Sequence, residues 1–105
     1  MTAYIFALVK NISDQDLYSK YVEKNSPTVA KYGGRFLYRN GPRELLEGNP
    51  IDDRIVILEF NSVEAAKNWY HSPDYTKVKA IRCDIAEASL YVIDSLQTAS
   101  ISDKS

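Results

Sequence analysis

The chain has 105 residues, a formal net charge of −1, and 45% hydrophobic against 26% charged residues, which is one domain of ordinary globular composition. No basic run marks a nucleic-acid binder, and no apolar run approaches the roughly 18 residues of a membrane span. The apolar opening AYIFALV is too short for a signal peptide and lacks a basic leader, so a soluble, cytoplasmic protein is expected.

AYIFALVK (3–10), rich in β-branched and aromatic residues, reads as a strand. Ser13 or Asp14 then offers a helix N-cap. Leu17, Tyr18, Tyr21 and Val22 recur at helical spacing over 14–25, with Asp16, Ser19, Lys20 and Glu23 opposite them. Pro27 after Ser26 predicts a kink or a fresh helical start, and Gly33 and Gly34 stop the helix. RFLYRN (35–40) reads as a second strand, Gly41-Pro42 as a turn, and RELLEG (43–48) as a short strand pairing back on the second. RIVILEF (54–60) is a strand. Asn61 or Ser62 caps the helix VEAAKNWYHS, Pro73 opens another helical piece, and EASLYVID (87–94) is the last strand. One domain thus spans 1–95, followed by a loose polar tail, 96–105.

The order βαβ(β)βαβ is that of a ferredoxin-like α+β plait with an antiparallel sheet and helices on one face only. A monomer would make the other face polar. Here both faces are apolar: Tyr4, Phe6 and Leu8 oppose Ile5, Ala7 and Val9, while Val56, Leu58 and Phe60 oppose Ile55 and Ile57. The expectation is a homodimer whose sheets pack face to face.

The stretches YGGRFLYRNG, LLEGN, DDRIVILEF and AAKNWYHSPDY, followed by Ile81-Arg82 and the final strand, resemble the family called domain of unknown function 1330 over residues 2 to about 95. That resemblance implies a dimeric α+β barrel. Relatives in that superfamily include cofactor-free antibiotic-biosynthesis monooxygenases, EthD-like proteins and muconolactone isomerase. It names no activity, and the superfamily hosts several unrelated chemistries. One departure is local: the family's second-strand motif RGG is RNG here, Asn40 standing for a glycine. Asn tolerates the left-handed backbone, so the turn is expected to survive.

With one Cys and one His, Cys83 and His71, the chain has no internal disulfide and too few ligands for a structural zinc site. No metal or cofactor is expected, and haem is disfavoured because it would require His71, at a helix break, as axial ligand. Gly33-Gly34 reads as a helix C-cap rather than an anion nest, lacking the further glycines and lysine of a phosphate loop.

Glu47, after two leucines, is the candidate catalytic acid/base. Its alternative is a salt bridge to Arg35, Arg39 or Arg54. Arg54 has the planar fork to hold a carboxylate or pairs with a local acid. Glu59 points into the sheet–sheet space and needs a partner there. Trp69 follows the small residues Ala65 and Ala66 and takes the core, leaving Tyr70 for a pocket rim. Ser72, Pro73 and Asp74 are explained as N-cap, first helical residue and favourable first-turn acid.

Tyr75, with Tyr18 and Tyr21 from the first helix, adds to a wall of phenols, and Arg82, one turn beyond Val78, reaches either that pocket or solvent. Such a pocket suits a small aromatic or carboxylated metabolite. Two functions follow from different classes. One is a non-catalytic binding protein. The other is a cofactor-independent isomerase or monooxygenase-type enzyme working through Glu47.

Overall fold

A computed structural model describes residues 2–95, and the tail expected at 96–105 lies outside them. The elements are β1 (Ala3–Lys10), α1 (Gln15–Lys31), β2 (Arg35–Arg39), β3 (Arg54–Phe60), α2 (Val63–Tyr70), α3 (Pro73–Cys83) and β4 (Glu87–Asp94). The strands form one sheet in the order β2-β3-β1-β4, each neighbouring pair antiparallel. This is the expected ferredoxin-like α+β plait.

Strict alternation in the central strand β1 decides the faces. Ala3, Ile5, Ala7 and Val9 are buried under the helices together with Leu58 and Phe60 of β3. Each helix begins on a short polar side chain that accepts a free backbone N–H. Asp14 Oδ1 accepts from Leu17 N at 3.0 Å, Ser62 Oγ from Ala65 N at 3.0 Å, and Ser72 Oγ from Tyr75 N at 3.0 Å. The break between α2 and α3 is thus structural punctuation, with His71 exposed as the C-cap of α2.

The opposite face carries Tyr4, Phe6 and Leu8 of β1, Ile55 and Ile57 of β3, and Tyr91 and Ile93 of β4. No element among the described residues covers it, and Tyr91 is 60% exposed. Glu59 on this face finds its partner within the chain: Arg35 Nε donates to Glu59 Oε1 at 2.6 Å across β2 and β3.

Two local expectations are corrected. Pro27 does not start a fresh helix, because α1 runs without interruption from Gln15 to Lys31. The acceptor that Pro27 leaves free is the carbonyl of Glu23, an exposed residue, and water can take the bond there. Residues 43–48 do not form a strand. Asn40, in the left-handed region at φ 46°, turns the chain out of the sheet. Tyr38 Oη donates to Gly41 O, and Arg43 Nη2 donates to the carbonyls of Ile51 and Asp53 at 2.8 and 2.9 Å. Those bonds hold an exposed loop in which Leu46 is 89% exposed.

Gly33, at φ 81°, and Gly34 end α1, with Gly34 N donating to Val29 O at 2.9 Å. A Cβ on Gly34 would stand 2.5 Å from Cε1 of the buried Phe60 ring. Gly34→Ala is therefore expected to destabilise the fold by about 1–3 kcal/mol through overpacking. Urea unfolding checks this, and a wild-type midpoint would contradict the packing.

Candidate functional site

Between α1, α3 and the sheet lies a cavity of about 40 Å³ floored by Ile5, Ala7, Val9, Val56 and Leu58. Tyr18 and Tyr21 sit three residues apart on α1 and so share its inner face. Their rings are 5.5 Å apart. Arg54 enters from the start of β3, its guanidinium 5.3 Å from the Tyr18 ring, and Arg82 from α3, 5.8 Å from the Tyr21 ring. A phenol pair therefore stands with a cation at each end.

Behind it Tyr21 Oη and Tyr75 Oη share a hydrogen bond of 2.8 Å, and the Tyr75 ring lies 4.2 Å from Trp69. Trp69 Nε1 donates to Thr28 Oγ1 at 3.1 Å, which in turn donates to Asn25 O at 2.8 Å. This network ties α1 to α2 and fixes the wall of the cavity.

The electrostatics are one-sided. Arg39, Arg54 and Arg82 line the cavity and no carboxylate does. Among the described residues neither Arg54 nor Arg82 forms a salt bridge, and the Nε of each is buried without a hydrogen-bond partner. Burying an unpartnered cationic donor is costly. A folding requirement alone does not account for two of them lining one cavity.

Burial raises the pKa of Tyr18, with Arg54 acting against it. Burial and then Tyr75 drive Tyr21 far above the ordinary phenol range, with Arg82 opposing. At Arg82 burial works against the charge, but Tyr75 and Tyr21 outweigh it and hold its pKa above the usual value. The sign for stability follows. Below about pH 10 these phenols are protonated in folded and unfolded chains alike. Above it the unfolded chain loses protons that the folded chain retains, so stability falls as pH rises past about 10. Urea unfolding at about pH 9 and 11 should show this decline. Tyr21→Phe should flatten it, and an equal decline in that variant would contradict the assignment.

A second cleft, about 310 Å³, opens between α2 and β4 and shares Ile5, Arg82 and Leu90 with the inner cavity. Tyr70 stands at its rim, its hydroxyl accepting from Lys79 Nζ at 3.2 Å. A shallow recess at the opposite end, with Asn40, Asp52 and Asp53, shares Val9 and Arg54 with the cavity.

The expected site residues divide accordingly. Tyr18, Tyr21, Arg54 and Arg82 come together around one cavity, and Tyr70 borders the adjoining cleft. Tyr75 is fully buried in the core and acts behind Tyr21. Glu47 lies on the exposed 41–53 loop, lines none of these cavities, and has no ion pair among the described residues.

Arg39 was not anticipated. Alternation from Phe36 would turn it to the outer face, but β2 bulges between Phe36 and Tyr38, pairing Arg39 with inward-facing Val56. Its guanidinium then stacks 3.6 Å from the Phe36 ring. A bulge leaves little trace in a five-residue strand, so alternation alone had no means of finding it.

Among the described residues no three His, Cys, Asp or Glu side chains gather as metal ligands, and no helix is long and apolar enough to cross a membrane.

A four-stranded plait with its helices on one face and a cavity beneath them defines the class, an α+β protein of the ferredoxin-like kind. Solved structures agree. The chain is similar to a protein of unknown function from Rhodopseudomonas palustris, with TM-score 0.69 and 22% identity over 91% of this chain and 83% of that one. It is similar to SnoaB, a cofactor-independent oxygenase from Streptomyces nogalater, with TM-score 0.64 and 11% identity over 94% and 97%. A protein from Agrobacterium tumefaciens matches with TM-score 0.57 and 19% identity over 93% and 96%. At such identities the likeness is one of fold. Residues 2–96 match the family described as domain of unknown function (DUF1330), and the chain belongs to it. Among curated proteins nothing matches the chain.

Proposed function

We propose that the protein is a cytoplasmic homodimer that binds a small aromatic or carboxylated metabolite between its helices and its sheet, without catalysing a reaction. The observation that carries this reading is the pair of buried, unpartnered guanidinium Nε atoms of Arg54 and Arg82 in a tyrosine-walled cavity with no lining acid. A planar carboxylate supplies the missing acceptors and the missing charge. Tyr18, Tyr21 and Tyr70 offer aromatic surface to the rest of the ligand. The uncovered apolar sheet face supports the dimer, since a second copy of that face is its natural complement.

The enzymatic alternative has one support, the fold shared with SnoaB, a cofactor-independent oxygenase. It needs an acid/base at the cavity. Glu47 lies on an exposed loop of its own chain, so the second subunit would have to carry it there. Thermal shifts with small aromatic carboxylates on wild type and Glu47→Gln test both readings. Equal shifts without turnover are expected. Turnover by wild type that Glu47→Gln abolishes would overturn the non-catalytic reading.

A further inference from the structure

The inner cavity and the α2–β4 cleft differ in what they can hold. At about 40 Å³ the inner cavity has room for one or two waters, which is also room for a carboxylate. The cleft, at about 310 Å³, falls within the range of about 300–1,000 Å³ typical of small-molecule sites. Arg82 belongs to both linings. It is 6% exposed, and its Nε is without a partner at this junction. Behind it the Tyr21 and Tyr75 hydroxyls bond to each other and support the guanidinium from one side, while its Nε stays without an acceptor.

The cleft itself joins apolar walls, Ala66, Ala88 and Leu90, to an aromatic rim, Tyr70, and a second cation, Lys67, with no acid in its lining. The Lys79 ammonium lies 4.7 Å from the Tyr70 ring and holds that rim in place. Apolar walls leading inward to a buried cation with an unpartnered Nε make a site for a ligand with an apolar body and one anionic end.

We infer that the α2–β4 cleft is the body site, and that the ligand is a monocarboxylate with a flat apolar body, entering past Tyr70 with its carboxylate inward on Arg82. The inference rests on the proposed binding function and goes beyond it by assigning the orientation and by making Arg82, not Arg54, the primary anchor. Arg54, at the far end of the tyrosine pair, keeps the inner cavity positive.

The test uses 2-naphthoate and its neutral analogue 2-naphthamide as probes of the full-length wild-type protein. In 13C-methyl NMR, 2-naphthoate is expected to give intermolecular NOEs to the Ala66 and Ala88 methyls. The amide should bind about tenfold more weakly or worse, since it lacks the charge. Ala88→Phe, which fills the cleft, should weaken 2-naphthoate at least about tenfold, and Arg54→Gln should weaken it clearly less than Arg82→Met does. NOEs to the Val9 and Val56 methyls instead, with binding lost in Arg54→Gln, would overturn this placement while leaving a helix–sheet carboxylate site standing. If neither probe binds wild type, the binding function and the placement both fall. The NOEs need no variant, so a misfolded Ala88→Phe does not blunt the test.

Discussion

Trp69→Ala is expected to cost the fold about 3–5 kcal/mol. Trp69 is 1% exposed, lies 5.7 Å from the Phe60 ring and 4.2 Å from the Tyr75 ring, and donates its indole N–H to Thr28. Truncation opens a cavity at the meeting point of α1, α2, α3 and β3. It also takes away the donor that Thr28 Oγ1 accepts from, next to the site wall. For a domain of this size the loss corresponds to a fall in Tm of roughly 4–8 °C per kcal/mol. Guanidinium unfolding of the purified variant measures it. A loss below about 1 kcal/mol would mean that the core closes over the gap, which the rigid rings around Trp69 oppose.

Arg82→Met should have the opposite character. The substitution keeps the length of the side chain and removes a buried cation whose Nε has no partner. Tyr21 and Tyr75 remain bonded to each other, so no hydroxyl is orphaned. Replacing buried charge by an apolar side chain of similar volume is often neutral or stabilising. The free protein should therefore melt at or above the wild-type Tm. Binding of an aromatic carboxylate should fall by about 30- to 1,000-fold, the range for removing one partner of a buried charge pair. Stability held while affinity collapses is the signature of a residue kept for its ligand.

The fold was legible because its signals are periodic. The alternation in 3–10 and 54–60 located the two central strands, and the Ser62 and Ser72 caps with Pro73 located the helix starts. The helix face of α1 put Tyr18 and Tyr21 together, whereas the sequence left Arg82 between pocket and solvent and Arg54 between a substrate and a local acid. Residues 43–48 escaped this reading because Leu45 and Leu46 imitate a strand, whereas the Arg43 side chain holds that segment off the sheet edge. Arg39 escaped it because one bulge reverses the face of everything after it. Glu47 looked like an acid in an apolar setting. Its leucine neighbours are themselves exposed, so sequence neighbours were a poor guide to surroundings.

The most direct measurement compares melting curves of wild type and Arg82→Met, each with and without saturating 2-naphthoate. The variant alone is expected to melt no lower than wild type, and the ligand to raise the wild-type Tm while leaving the variant unmoved. A variant that melts well below wild type and still gains the full ligand shift would contradict this. Arg82 would then be a prop of the core, and the anion site would lie elsewhere.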